Sequence, residues 1–352
     1  MAGLTEPARS LARWFLLGCS VAIALQVLQV ISLGGDRTAL LSVGTESPLR
    51  SLIELELGEV TLVPGPGHDG QMSYLIARNP GGEVGEVLDH AGYRYRRILY
   101  PALAGGLGSL SPEATLWGLQ IWAVAGMGLA TASVAAAAAA LRHPPWVILG
   151  VVANPGVWLS VQLLTPDVLA LGLALAGLAL CLEGRWTIGA VLLAASALTK
   201  DQYLVTALGL AGWAWWSERD RRNALLLAVL PAGLLSMWAW MVGPVEGLAV
   251  RGNISLPGAG LLLSAGRWAE DGARGFLFAT LAALGLAAGT ASALLARRSL
   301  YAWLTLPWVA LGLISSTWVW DHGNNVLRVL APVWVFATLS LAAAFSERRV
   351  AA

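Results

Sequence analysis

The chain has 352 residues, of which 57% are hydrophobic and 12% are charged, and its formal net charge is +1. Soluble globular domains carry about 25% charged residues, so this composition predicts an integral membrane protein. A net charge this close to zero gives no electrostatic basis for binding nucleic acid, which we exclude as a partner. The apolar runs are continuous rather than alternating, which is typical of transmembrane helices and not of a β-barrel.

Ten apolar segments follow one another along the chain, and they predict a single all-α membrane domain over residues 1–352 with about ten transmembrane helices. The first, residues 11–33, is too long for the apolar region of a cleaved signal peptide and predicts a retained anchor. Asn154-Pro155 predicts a helix break within the third span. The other predicted spans cover 114–141, 145–163, 168–182, 186–198, 203–216 and 224–242, two segments that end at Arg297 and Trp320, and 326–345.

The distribution of arginine predicts the orientation of these spans. Arg9 and Arg13 precede the first span, and every turn after an even-numbered span also carries arginine, so both chain ends are expected on the cytoplasmic side. Two long external loops follow from this count, residues 34–111 and 243–272. The sequence Ser-Pro-Glu at 111–113 predicts the helix start that ends the first loop. The short external turns carry Asp167, Asp201 and Asp321.

Spans four, five and six are short, and this predicts a recess that opens on the external side. Fourteen or fifteen residues at about 1.5 Å each cover only part of a membrane core of about 30 Å. Asp167, Lys200 and Asp201 would then lie at membrane depth, where charge is tolerated only around a wet, protein-lined cavity. The repeated patterns LTPD and LTKD each begin an inward-going span, and their threonines, Thr165 and Thr199, are expected to cap the two helices.

The densest polar and aromatic stretch of the chain lies in the first external loop, at residues 67–80 and 92–106. A carboxylate that faces cations in a wet recess suits group transfer from a phosphorylated lipid, because the cations hold the phosphate and the carboxylate takes a proton. We therefore predict Asp69 as the catalytic residue. The predicted residues for binding substrate or phosphate are Lys200, Arg328, Arg96, Arg97, Asp167, Asp321, His322 and Tyr100.

Each of these residues also has a structural interpretation. Asp69 could be the N-cap of a helix over residues 70–79, and Asp167 could form a structural ion pair with Lys200. Asp321 could pair with Arg328 across about two helical turns. Arg94, Arg96 and Arg97 could be interfacial anchors beside lipid headgroups. Trp320 is a candidate for stacking on a sugar ring. The four histidines, His68, His90, His143 and His322, show no metal-ligand spacing, so we predict no metal site; a divalent cation at Asp321-His322 is the weaker alternative.

Five stretches, in this order along the chain, carry a resemblance to a known family: GHDGQMSYLIARNP, YRYRRILYP, LLTPDVLALGLALAGLAL, ALTKDQYL and WDHGNNVLRVLAP. Together they resemble the GT-C superfamily of polytopic glycosyltransferases, which use polyprenyl- or dolichyl-phosphate sugars, and in particular its compact bacterial mannosyl- and arabinosyltransferase-like members. The resemblance implies a GT-C-like bundle and identifies Asp69 as the general base. Family members often have two acidic residues at this place, whereas this chain has His68-Asp69.

The resemblance implies an inverting transfer of a hexose or pentose from a polyprenyl-phosphate donor to a hydroxyl of a glycan or lipid acceptor. The reaction is expected on the periplasmic face of a bacterial inner membrane, with membrane lipid around the protein and no cofactor beyond the donor itself. Two alternatives remain open. One is a transporter or flippase of a lipid-linked saccharide, although no inverted repeat is visible. The other is a non-enzymatic subunit of an envelope-assembly complex.

Overall fold

The structure is a computed structural model that describes residues 6–243, 253–270 and 272–351, with side chains described from 9 to 346. It is nearly all helical. The helices are α1 Glu6–Ser32, α2 Arg50–Leu57, α3 Asp69–Arg78, α4 Ala91–Tyr95, α5 Leu99–Gly105, α6 Pro112–Ala140, α7 Leu149–Val152, α8 Pro155–Gln162, α9 Asp167–Leu182, α10 Trp186–Thr199, α11 Leu204–Trp216, α12 Arg221–Val242, α13 Ala259–Leu263, α14 Ala265–Glu270, α15 Gly272–Leu295, α16 Leu300–Ile314, α17 Thr317–Trp320 and α18 Gly323–Ala351.

Short 3-10 and extended segments complete the described chain. The 3-10 turns cover Arg37–Leu41, Gly85–Val87, Pro145–Ile148 and Asp201–Tyr203. Two strands of two residues each, β1 Val43–Gly44 and β2 Leu62–Val63, pair in parallel within the first long loop. The expected all-α fold therefore holds apart from this small pair.

Five helices in the described residues are long and apolar enough to cross a membrane, which supports membrane-protein character. They are Arg9–Ser32, Pro112–Ala140, Arg221–Val242, Gly272–Leu295 and Gly323–Ser346. Three shorter apolar helices are Asp167–Leu182, Trp186–Thr199 and Leu300–Ile314. The other two expected spans correspond to the segmented stretch from Pro145 to Gln162 and to the 13-residue helix α11. The total of ten spans and their orientation remain predictions.

The predicted break at Asn154-Pro155 is present and is built into the packing. The Asn154 Oδ1 accepts hydrogen bonds from the backbone N–H of Gly156 and Val157, which start α8. The Asn154 amide nitrogen donates to the carbonyls of Gly150 and Ala331, both at 3.0 Å. Ala331 lies in α18, so the broken helix is joined to the last helix of the chain through a buried side chain.

Small residues let the central helices approach closely, as is common in membrane bundles. Helix α6 packs against α1 and α9, while α18 packs against α8, α15 and α16. A Cβ atom on Gly126 of α6 would lie 2.7 Å from the Leu169 Cα of α9, and one on Gly156 of α8 would lie 2.0 Å from the Leu327 carbonyl oxygen of α18. Backbone therefore lies against backbone where the last helix meets α8.

The first long loop packs onto one end of this bundle and brings α3 close to α8. The predicted helix start is confirmed, since the Ser111 side chain accepts from the backbone N–H of Ala114. Gly70, the second residue of α3, has room only for hydrogen, because a Cβ there would lie 2.5 Å from the Leu163 carbonyl oxygen. Gln71 is fully buried and donates to the Pro66 carbonyl at 2.8 Å. These contacts fix the first turn of α3.

The second predicted loop, residues 243–272, is described except for 244–252 and 271. Its described part contains α13 and α14. The Ser255 N–H donates to the Ile314 carbonyl at 2.7 Å, and the Ser316 N–H donates to the Asn253 carbonyl at 3.0 Å. This segment is therefore tied to the corner between α16 and α17. The side chains of Arg348 and Arg349, which follow the last expected span, lie outside the described part.

Candidate functional site

Arg328 lies where the first loop, α9 and α18 meet. It stands in the second turn of α18, and its side chain is 4% exposed. Its Nη1 lies 3.1 Å from the Asp69 Oδ2 and 3.6 Å from the Asp167 Oδ2, and its Nη2 donates to the Asn325 Oδ1 at 2.6 Å. A buried guanidinium needs such anionic partners, because an unpaired charge is costly in an apolar environment. The cation thus connects residues from three distant parts of the sequence.

Lys200 and Asp167 form the predicted ion pair. Lys200 follows the last residue of α10, and its ammonium group donates to the Asp167 Oδ1. The side chains are only 4% and 2% exposed. The Tyr203 hydroxyl also donates to the Asp167 backbone carbonyl at 3.1 Å. Lys200 is therefore sealed beneath its partner and does not face an open recess in this conformation.

Arg94 is a member of the site that the sequence-based prediction missed. Its Nη1 lies 2.8 Å from the Asp69 Oδ1, while its Nε and Nη2 donate to the two carboxylate oxygens of Asp89 at 2.9 and 2.7 Å. The tyrosine-arginine pattern of residues 93–97 marks the segment as unusual. It does not distinguish Arg94 from Arg96 and Arg97, and nothing local pairs Arg94 with a carboxylate 25 positions earlier.

Asp69 is held between these two guanidinium groups and does not cap its helix. The N-cap residue of α3 is His68, whose side chain makes no capping hydrogen bond, and Asp69 is the first helical residue. The N-cap interpretation of Asp69 is therefore wrong. Burial by itself would raise the pKa of Asp69, but the charges of Arg94 and Arg328 outweigh it and hold the pKa well below the ordinary value of 3.8. With 20% of its side chain exposed, Asp69 is ionised and accessible at neutral pH.

Arg97 lies at the edge of the same cluster. Its side chain is 10% exposed, its guanidinium carbon lies 4.1 Å from the centre of the Tyr93 ring, and its Nη2 contacts the Tyr93 hydroxyl. The Arg97 Nε lies 3.5 Å from the Asp201 Oδ1. The neighbouring Arg96 is half-buried, and its Nε has no hydrogen-bond partner among the described residues. The Nε atoms of both predicted arginines are thus buried and donate no hydrogen bond to the described residues.

His68 and Asn324 form a second contact between the first loop and α18. The His68 Nε2 lies 3.4 Å from the side-chain nitrogen of Asn324. The Asn324 Oδ1 is buried and has no hydrogen-bond partner among the described residues. Burial and the nearby charge of Arg328 lower the pKa of His68 below its ordinary value of 6.5, with Asp69 acting in the opposite direction. The surroundings of His68 therefore favour the neutral form of its imidazole.

The structure does not bring all predicted residues together. Asp321 pairs with Arg267 at 2.9 Å and accepts from the Ser264 hydroxyl at 2.6 Å, so the predicted pair with Arg328 is wrong. His322 is exposed beside it. Tyr100 has no exposed surface, and its hydroxyl donates to the Leu119 carbonyl at 2.9 Å, as expected of a packing residue.

Two further local predictions are wrong, because Trp320 and Thr199 donate to backbone carbonyls. Trp320 is fully buried and its Nε1 donates to the Gly312 carbonyl, so its ring is not available to stack on a sugar. Thr199 donates to the Ala195 carbonyl, and α9 begins after Pro166 without a side-chain cap. The expected threonine caps are therefore absent from both helix starts. The helix α9 and the 3-10 turn that leads into α11 instead begin with the aspartates Asp167 and Asp201, which suit the positive end of a helix dipole.

We use the term charged cluster for four carboxylates and four cations that form these ion pairs, with the Arg97–Asp201 pair connected to the rest through the charge of Arg97 acting on Asp69. They are Asp69, Asp89, Asp167, Asp201, Arg94, Arg97, Lys200 and Arg328. The charges cancel, with four of each sign. Asp167, Lys200 and Arg328 form the sealed floor, and the other members, with side chains 10–45% exposed, form the accessible side. Two apolar hollows of about 460 and 430 Å³ lie elsewhere, and no charged residue lines either of them.

No group of three or more His, Cys, Asp or Glu side chains within residues 6–243, 253–270 and 272–351 is arranged to hold a metal ion. Comparisons with protein-family models, with curated proteins and with solved structures find no match for this chain. The functional argument therefore depends on the charged cluster. Its guanidinium groups can exchange a carboxylate for a phosphate, and its exposed carboxylate can accept a hydrogen bond from a hydroxyl group.

Proposed function

We propose that this chain is a membrane glycosyltransferase of the GT-C type. It transfers a sugar, with inversion, from a polyprenyl-phosphate donor to an acceptor hydroxyl of a glycan or lipid. The observation that supports this proposal is the convergence of Asp69, Lys200 and Arg328 at one end of an apolar helical bundle. A transferase for phosphorylated lipids needs this combination, because cations stabilise the departing phosphate while a carboxylate takes the proton of the attacking hydroxyl.

The donor phosphate binds on the accessible side of the charged cluster. Arg94 and Arg328 both hold Asp69, and a phosphate offers a guanidinium group the same forked pair of oxygens as a carboxylate does. The incoming phosphate therefore competes with Asp69 for these guanidinium groups and frees its carboxylate for the acceptor. Arg328 and, from beneath it, Lys200 stabilise the charge of the leaving phosphate through their own positive charge, with Arg96 or Arg97 assisting.

Asp69 acts as the general base in this mechanism. The acceptor oxygen attacks the anomeric carbon, the bond from that carbon to the phosphate oxygen breaks, and its electron pair stays on the phosphate. The hydroxyl proton passes to Asp69 in the same step. Losing one positioned proton acceptor typically costs about 10²–10⁴-fold in rate.

The membrane arrangement follows from the sequence pattern and is part of the proposal. Ten spans place both termini in the cytoplasm and the charged cluster on the periplasmic side of a bacterial inner membrane. The end of the bundle that carries Asp69, Asp201 and Arg328 is then the external end. A lipid-linked donor reaches this end from the outer leaflet.

The test uses the full chain in proteoliposomes with radiolabelled polyprenyl-phosphate sugars (mannose, glucose, galactose and arabinose) and an envelope extract as the source of acceptors. We expect one donor to yield labelled product and free polyprenyl phosphate. Asp69→Asn should lower that rate about 10²–10⁴-fold with normal expression. The matched control is Glu46→Gln, an exposed carboxylate in the same loop. Movement of the donor between leaflets without product would contradict the transferase and favour a flippase.

A further inference from the structure

The charged cluster contains strong hydrogen-bond donors and acceptors, but its carboxylates are poor places to store a proton. Asp89 is held bidentately by Arg94, Asp167 contacts Lys200 and Arg328, and Asp201 lies beside Arg97. Asp69 itself has one guanidinium on each oxygen until the donor phosphate displaces it, and both guanidinium groups return to this carboxylate when the phosphate leaves. Protonating any of these groups gives up its ion pairing. A proton taken from the acceptor hydroxyl must therefore move on to another group.

His68 is the neighbouring group that can take a proton without giving up an ion pair. It directly precedes Asp69, and it is half-buried, so part of its side chain reaches solvent. The charged and titratable groups that act on it are Arg328 and His322 from the end of the chain, Arg274 from α15, and Asp69. A neutral imidazole can take a proton near neutral pH and return it to water, which makes histidine suited to this task.

Asn324 fixes the orientation of the His68 ring. An amide side chain can be turned by 180° to exchange its oxygen and nitrogen, and a buried amide oxygen strongly favours a donor. The Asn324 Oδ1 otherwise has no hydrogen-bond partner among the described residues, and the His68 Nε2 lies within reach of the same amide. With the oxygen facing Nε2–H, the proton of the neutral ring is on Nε2. The Nδ1 lone pair then remains as the acceptor.

We propose that His68 receives the proton that Asp69 takes from the acceptor hydroxyl and releases it to water, with Asn324 as the residue that positions the imidazole. This inference rests on the proposed glycosyl transfer and adds a second proton-transfer residue to it. The proton is accounted for at each step. The carboxyl group of Asp69 returns to a carboxylate, His68 becomes an imidazolium, and solvent takes the proton before the next turnover.

The pH dependence of turnover has a defined sign. Only the neutral imidazole can accept a proton, so the rate falls as pH decreases through the pKa of His68, which burial places below 6.5. A mechanism in which Asp69 alone manages the proton would show no such fall in kcat/KM, which reports the groups of the donor-free protein, because the pKa of Asp69 there lies well below 3.8. The low-pH limb of the rate profile therefore separates the two.

The experiment measures kcat and donor KM for the full chain in proteoliposomes between pH 5 and pH 8, with the donor that supports turnover. His68→Gln should lower kcat at pH 7 about 10²-fold, leave donor KM unchanged and remove the low-pH limb. His68→Ala should regain activity when free imidazole is added, which a purely structural role would not allow. Asn324→Asp should move the limb to higher pH, because a carboxylate stabilises the imidazolium.

The matched control is His90→Gln, an exposed histidine of the same loop, which should keep the wild-type rate and profile. Wild-type kcat and an unchanged limb in His68→Gln would overturn the inference, and so would loss of the limb in His322→Gln instead. If His68→Gln fails to fold, the shift expected in Asn324→Asp decides the question. An absence of turnover with every donor in the wild-type chain would count against the transferase itself, which separates the two proposals.

Discussion

The Nη1 of Arg328, in the last helix, lies 3.1 Å from the Oδ2 of Asp69, in the first long loop, across 259 positions of the sequence. The same nitrogen lies 3.6 Å from the Asp167 Oδ2 at the start of α9. One buried cation therefore holds the loop against two helices of the bundle, and its contacts can be tested as energetic couplings.

The pair of Asp69 and Arg328 should be coupled in stability. We expect Asp69→Asn and Arg328→Gln each to destabilise the protein, and the double variant to be less destabilised than the sum by about 1–3 kcal/mol, because contacting charged residues are not additive. The measurement is denaturant unfolding of the four proteins in mixed micelles. Additivity within about 0.5 kcal/mol would show that the contact carries no free energy.

Lys200 should be more sensitive to truncation than an exposed lysine or arginine. Lys200→Met leaves the Asp167 carboxylate buried, with Arg328 as its remaining cation at 3.6 Å, and should cost about 3–5 kcal/mol of unfolding free energy. The double variant Lys200→Met with Asp167→Leu should recover most of that loss, since it removes both charges.

The control for the Lys200 experiment is Arg50→Ala, which removes an exposed i,i+4 pair with Glu54 and should cost under about 1 kcal/mol. Equal losses for Lys200→Met and Arg50→Ala would show that burial of the Asp167 pair has no energetic weight. A double variant as unstable as Lys200→Met alone would point to packing rather than charge.

Acid should weaken the wild-type protein more than Asp69→Asn. The folded-state pKa of Asp69 lies well below the unfolded value of about 3.8, so its contribution to stability is present above that value and is lost as pH falls below it. The difference in unfolding free energy between the two proteins should therefore be constant from pH 7 to about pH 5 and shrink at lower pH. A difference that grows on acidification would contradict this assignment.

The contact between α8 and α18 should not tolerate a side chain at Gly156. A Cβ there would lie 2.0 Å from the Leu327 carbonyl oxygen, so Gly156→Ala must separate the two helices and displace the neighbouring Arg328. We expect a loss of about 1–3 kcal/mol. Gly233→Ala is the control, because nothing lies within 4 Å of its Cβ position and alanine favours the helix by about 1 kcal/mol.

The proposed orientation can be tested by labelling single cysteines in spheroplasts. In a background with Cys19 and Cys181 replaced by alanine, Glu83→Cys should react with a membrane-impermeant maleimide added outside. Glu218→Cys should react only after the membrane is permeabilised, because its turn carries three arginines and is expected in the cytoplasm. Both positions are exposed, so accessibility reports the side of the membrane. The reverse pattern would invert the proposed topology.

The sequence by itself determined the features that depend on neighbouring residues. Continuous apolar runs indicated a helical membrane protein, Asn154-Pro155 marked a break, and Ser111 marked a helix start, because hydropathy, proline and capping act within a turn or two of chain. It also singled out Asp69, Lys200 and Arg328, since ionisable groups near apolar spans are costly and stand out.

Only the tertiary structure decided which charges meet. Arg94 pairs with Asp69, and Asp321 pairs with Arg267 instead of Arg328. The Tyr100 hydroxyl donates to a backbone carbonyl in the interior. Ion pairing depends on distances of a few ångströms between side chains, and those distances follow from how helices far apart in sequence pack. The pairings are therefore fixed by close approaches such as those at Gly70 and Gly156, which leave no trace in the local pattern of the chain.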